Sequence, residues 1–162
     1  MGHKFAEIAF TPSVQGMQER MGSRAGYARL ERGPVVGSEL GPDEAAFVAA
    51  RDSFCIATVS ETGWPYVQHR GGPPGFVQVL DPKTLAFPDF RGNRQYVSVG
   101  NVTRDDRVSL LFMDYPNRAR LKVLGRASLI GPEQREILER LELPGYRARI
   151  ERGFLVRVEA FD

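Results

Sequence analysis

The sequence predicts a mainly β protein, an antiparallel barrel with a few helices outside it, and three observations carry that expectation. From residue 53 onward the apolar pattern changes to a period of two and recurs in six or seven separate runs. Most of these runs are joined by short turns rich in Gly, Pro and Asp, which make hairpins. Strands do not alternate with helical stretches of the length a parallel doubly wound sheet needs, so that architecture is excluded. With 162 residues, the chain is expected to form one domain. It divides into an N-terminal helical extension (1–52), a barrel core (53–131) and a C-terminal helix and strand (132–162).

Residues 1–10 carry no firm periodicity. Thr11-Pro12-Ser13 reads as a helix start, with the hydroxyl at the cap and proline at the first position. Val14, Met17 and Met21 then form one apolar stripe, expected to pack into the core. A breaker-rich connection follows from Arg32 to Pro42, and Asp43-Glu44 opens a second short helix through the 45–50 segment. Phe54 to Ser60 is a strong strand, apolar enough to be buried on both faces. Glu61-Thr62-Gly63 turns it into a second strand from Trp64 to Arg70, where Trp64 and Tyr66 are read as packing residues.

After the Gly71–Gly75 loop come a third strand (Phe76–Leu80), a tight turn at Asp81-Pro82-Lys83-Thr84, and a fourth strand (Leu85–Phe90). Asn93 is expected to cap a short helix containing Tyr96, Val97, Val99 and Val102. Arg107–Met113 is a fifth strand and Arg120–Ile130 a long sixth. A helix from Gly131 through Leu141 and a last strand, Gly153–Phe161, complete the chain.

Composition narrows the function. A charged fraction of 26% and a net charge of +2 are ordinary for a globular protein. Of the 22 basic residues 19 are arginine, which suits phosphate contacts, yet no basic stripe interleaved with aromatics is present. A nucleic-acid-binding barrel is therefore a third-ranked reading. The single cysteine, Cys55, lies in an apolar strand and is expected to be a buried, inert thiol. Two histidines and no Cys/His spacing give no metal site. No apolar segment reaches membrane-spanning length, so a cytoplasmic protein without membrane association is expected.

The residues that carry chemistry gather where the fourth strand breaks. Arg91-Gly92-Asn93-Arg94 places two fork-shaped donors, an amide and a glycine within four residues, the donor set a phosphate monoester requires. The alternative is an exposed turn with surface arginines. Gln68, His69 and Arg70 end a strand at a Gly/Pro loop, where a flat ring with polar edges could pair with the backbone. The alternative for His69 is a partly exposed strand histidine without catalytic duty. No Ser/His/Asp arrangement and no carboxylate pair is readable, since Asp89 and Asp114 are single acids near strand ends.

The order of these features resembles the pyridoxamine 5'-phosphate oxidase-like, flavin-nucleotide-binding split barrels. The matching stretches are Phe54 to Gly63, Pro65 to Gly72, Phe90 to Tyr96, Asp106 to Phe112, and Leu121 to Ala127 around Gly125. The resemblance covers residues 43–131 well. It implies a six-stranded antiparallel split β-barrel working as a homodimer, with one FMN in each of two clefts between subunits. Val67, Gln68, His69 and Arg70 would line the isoalloxazine, with Arg70 beside its N1–O2 edge. Asp89 and Phe90 would lie at the strand end beside the ring. Arg91, Asn93, Arg94 and Gln95 would take the phosphate and ribityl, Arg120 would reach across the dimer, and Asn101 is a further candidate.

The C-terminal Trp/Arg substrate signature of true pyridoxamine phosphate oxidases is missing, which argues against vitamin B6 oxidation. Chains of this subgroup tend to run on past a strand like Val158–Phe161 into a segment that can cover the flavin. The stop at Asp162 predicts an open site or a shortened chain. The resemblance therefore implies an FMN-dependent oxidoreductase of unread substrate. The alternatives are a non-enzymatic flavin or haem binding or sensing protein on the same barrel, and a deazaflavin in place of FMN.

Overall fold

Alternating side chains sort the sheet into one buried and one open face. The computed structural model describes residues 2–162. Its strands are β1 (Ser53–Val59), β2 (Pro65–Gly71), β3 (Gln78–Asp81), β4 (Thr84–Phe90), β5 (Arg107–Asp114), β6 (Ala119–Ile130) and β7 (Ile150–Phe161). They form one antiparallel sheet in the order β2-β1-β5-β6-β7-β4-β3. The split-barrel fold is thus as expected, with seven strands rather than six. The last strand, β7, lies between β6 and β4 and joins the two halves of the sheet.

Phe54, Ile56 and Thr58 of β1 point inward, as do Val108, Leu110 and Phe112 of β5. β1 was expected to be buried on both faces, but Cys55, Ala57 and Val59 are only half-buried, because a barrel has a single interior. Cys55 is accordingly half-buried too. Inside, Phe54 meets Phe87 edge-on at 4.9 Å and stacks on Phe112 at 5.1 Å, while Phe87 stacks on Phe154 at 5.0 Å. Such pairs contribute about 0.5–1.5 kcal/mol each beyond area burial.

The β6–β7 register shifts between Leu124 and Gly125, and a Cβ on Gly125 would lie 2.5 Å from the Arg157 carbonyl oxygen. Gly125→Ala is expected to destabilise the fold by about 1–3 kcal/mol through this backbone clash. A lower urea midpoint with an unchanged m-value would show it.

Six helices lie outside: α1 (Lys4–Ala9), α2 (Pro12–Arg20), α3 (Arg24–Arg32), α4 (Pro42–Ala49), α5 (Val97–Val102) and α6 (Arg135–Arg140). The Glu44 carboxylate caps α4 by accepting from the Gly41 N–H at 2.8 Å. Several expectations are corrected here. Thr11 precedes α2 but makes no side-chain cap bond. The stripe of Val14, Met17 and Met21 faces outward, 37%, 49% and 74% exposed, while Gln18 is buried. Trp64 does not pack; it is 75% exposed at the β1–β2 turn. α6 starts later than expected, at Arg135. Asp114, read as a single acid without a carboxylate partner, is held by Arg51, whose Nη1 lies 2.8 Å from its Oδ2, and by Asn117, whose Nδ2 donates to the same oxygen at 3.0 Å. Those bonds, Asn117 first, hold its carboxyl below the usual range.

Candidate functional site: an arginine-rich cleft at the end of β4

β4 ends at Phe90, and residues 91–96 cross from it to α5. Two buried bonds fix where α5 sits. Asn101 Nδ2 donates to Thr58 Oγ1 at 2.9 Å, and Ser98 Oγ donates to Gln68 Oε1 at 2.7 Å. The connecting loop is unusual in its backbone. Gly92, Arg94 and Tyr96 have positive φ (47°, 62° and 55°), whereas the alternating Asn93 and Gln95 do not. Such alternation turns successive N–H groups toward one concavity, an anion-binding nest. Left-handed backbone at two non-glycine residues costs about 1–2 kcal/mol each. Tyr96 is therefore held: its hydroxyl donates to Glu151 Oε2 at 3.0 Å, and the Arg152 guanidinium lies 4.9 Å above its ring.

Asn93 does not cap α5, contrary to the sequence expectation. Tyr96 occupies the cap position, and Asn93 Oδ1 accepts from the Gln95 N–H at 3.2 Å inside the loop. The extra left-handed residues displace the helix start by three positions.

Pairing of β4 with β7 sets Asp89 opposite Arg152 and brings Glu151 beside the loop. A run of alternating charge crosses the cleft as a result. Arg70 Nη1 is ion-paired with Asp89 Oδ1. Arg152 Nε lies 3.8 Å from Asp89 Oδ2, and its Nη2 donates to Glu151 Oε2 at 3.1 Å. Arg91 Nε stands 3.8 Å from Glu151 Oε1. The Tyr96 hydroxyl, backed by Glu151, raises the Arg94 guanidinium above its ordinary value. Four guanidinium groups (Arg70, Arg91, Arg94, Arg152) thus face two carboxylates (Asp89, Glu151), leaving two positive charges. A phosphate monoester carries about −1.5 to −2 at neutral pH, which matches. Arg70 Nε is buried without a hydrogen-bond partner among the described residues.

The cleft is shallow and open to solvent, with a cavity volume of about 50 Å³. Of the residues singled out from sequence, Gln68, Arg70, Asp89, Phe90, Arg91, Asn93, Arg94 and Gln95 line it. Val67 and His69 sit on the opposite face of β2, because the strand alternates; Val67 is 63% exposed. Asn101 is committed to Thr58, and Arg120 lines a different cavity of the chain. Sequence reasoning missed Tyr96 and Ser98 as cleft residues, and Glu151 and Arg152 altogether. Only the β4–β7 register brings the last two to the cleft, and no local motif marks them. Among the described residues, no cluster of three His, Cys, Asp or Glu is placed to hold a metal, and no helix is long and apolar enough to cross a membrane.

Donor set, charge surplus and unpartnered Arg70 Nε all fit a phosphate-bearing flavin. Comparison with known proteins agrees at the level of family. The sequence profile of the family described as pyridoxamine 5'-phosphate oxidase matches residues 40–154. No curated protein matches the sequence. Among solved structures, a candidate pyridoxamine 5'-phosphate oxidase from Lactobacillus delbrueckii is similar at a TM-score of 0.58 and 22% identity, over 77% of this chain and 94% of that one. HupZ of Group A Streptococcus is similar at 0.56 and 13% identity, over 75% and 92%. An F420 reductase is similar at 0.51 and 20% identity, over 75% and 98%. At such identities these structures show the fold. The profile match spans most of the sequence, and this chain belongs to the pyridoxamine 5'-phosphate oxidase family of split barrels.

Proposed function

We propose that this protein binds FMN in the cleft at the end of β4 and acts as a flavin-dependent oxidoreductase. The observation that carries the reading is the surplus of two positive charges around a loop whose backbone alternates in the sign of φ. Arg91, Asn93, Arg94 and Gln95 hold the phosphate and ribityl. Gln68 and Arg70 face the ring, and Asp89 fixes the Arg70 guanidinium while leaving its Nε free to donate. When bound, FMN supplies hydride and electron transfer, and the protein supplies orientation and electrostatics.

A homodimer with one cofactor at each interprotomer cleft is part of the proposal. Supporting it, the outward face of the sheet is apolar around Ala57, Val59, Pro65 and Leu124, and Val67 and Trp64 stand exposed beside it. Placed there, Val67 and His69 would meet the partner's side of the cofactor. A phosphorylated deazaflavin offers the same anion to the loop, and the F420 reductase shares the fold, so both cofactors are compared in the test.

The test is titration of apo protein with FMN, F420 and riboflavin, followed by ligand fluorescence and thermal unfolding. FMN a hundredfold above its Kd should stabilise the protein by about 2.7 kcal/mol, and purified holoprotein should show flavin absorbance. Anaerobic mixing of holoprotein with NADH or NADPH then separates an oxidoreductase from a binding protein. Absence of any flavin binding would sink the reading.

A further inference from the structure

Helices α1, α2 and α3 cover the outward face of β6 near its start without closing on it. Between them lies a cavity of about 300 Å³ that shares no lining residue with the 91–96 cleft. Its walls are Phe5, Phe10, Tyr27 and Leu30, with the Phe10 and Tyr27 rings meeting edge to face at 5.2 Å. Its volume is at the lower end of the size range of small-molecule sites.

Its polar side chains are His3, Gln18, Arg120, Lys122 and Asp162. Strand alternation puts Arg120 and Lys122 on the same outward face, with Leu121 and Val123 buried behind them. Lys122 is already neutralised: its ammonium pairs with Asp162 and lies 4.7 Å from the centre of the Phe5 ring. Arg120 is different, making no ion pair or hydrogen bond among the described residues. Gln18 reaches the cavity from α2, 9% exposed, with Oε1 accepting from Arg24 Nη1 at 3.1 Å. Its amide nitrogen has no hydrogen-bond partner among the described residues and is open to the cavity.

α2 therefore buries a glutamine while leaving Val14, Met17 and Met21 in solvent. The Gln18 amide is thereby aimed into the cavity rather than sealed in the core.

We propose that this cavity is a second small-molecule site, taking a monocarboxylate with an aromatic or bulky apolar body. The body packs among Phe5, Phe10 and Tyr27, and the carboxylate accepts from Arg120 and the Gln18 amide. One uncompensated positive charge matches one carboxylate and not a phosphate dianion. This assigns Arg120 to its own protomer's cavity in place of the cross-dimer contact that family resemblance implies. The site does not depend on the flavin reading.

The test is calorimetric titration of the full chain with 2-naphthoate and indole-3-acetate, and with 2-naphthylmethanol as the neutral analogue. The acids should bind, the alcohol at least tenfold more weakly. Arg120→Gln, at an exposed position that does not threaten folding, should weaken the acids tenfold or more, as should Gln18→Leu. Saturating FMN should not displace them. Failure of both acids to bind at millimolar concentration overturns the proposal, and so does equal binding of the alcohol. Loss of FMN uptake in Arg120→Gln with acid binding intact would return Arg120 to the flavin and also overturn it.

Discussion

Asp89→Ala is expected to cost the fold about 3–5 kcal/mol, the typical penalty for removing one partner of a buried ion pair. Asp89 and Arg70 have side chains only 8% and 12% exposed, and the Arg70 guanidinium lies 5.1 Å from the buried Phe154 ring. Its Nε already lacks a partner among the described residues, so losing the carboxylate strands a mostly buried charge whose one route to water is the cleft. Arg152, 3.8 Å from Asp89 Oδ2, loses its neighbour as well. The double variant Asp89→Ala/Arg70→Met should recover most of the loss, because an apolar side chain packs on Phe154 without a counter-charge. Urea midpoints of the two single variants and the double variant measure this directly. A single variant within about 1 kcal/mol of wild type would mean that Arg70 swings into solvent and that the pair does not anchor the cleft.

That pair also marks how far the sequence could be read. Strand positions from Ser53 to Ile130 were legible within a residue or two, because barrel strands alternate and their turns carry Gly, Pro and Asp. Legibility failed where local pattern and tertiary context disagree. The α2 stripe looked like core, yet α2 turns its glutamine toward α3 and the cavity. Nothing in 24–32 announced α3, which buries no residue. At the cleft, Arg91, Asn93, Arg94 and Gln95 could be found because they are contiguous. Glu151 and Arg152 could not, since they arrive through β4–β7 pairing from a distant part of the chain. Alternation on β2 shows that the run Val67–Arg70 serves two faces, so Gln68 and Arg70 line the cleft and Val67 and His69 do not.

The two residues flanking the proposed phosphate position should shift FMN affinity in opposite directions. Arg94→Ala removes a charge-assisted donor, worth about 1.5–3 kcal/mol, and should weaken FMN by roughly ten- to a hundredfold. Riboflavin, which lacks the phosphate, should bind the variant as it binds wild type; equal loss of both ligands would refute the phosphate assignment. Glu151→Gln should instead tighten FMN by about 1 kcal/mol, since it removes a negative charge beside Arg91 while glutamine can still accept from the Tyr96 hydroxyl. A third variant separates charge from backbone. Arg94 has a φ of 62°, which glycine adopts without penalty and alanine does not. Arg94→Gly should therefore unfold at a higher denaturant concentration than Arg94→Ala while losing FMN just as severely. If Arg94→Gly instead kept wild-type FMN affinity, the loop's N–H groups alone would hold the phosphate and the guanidinium would have no part in it.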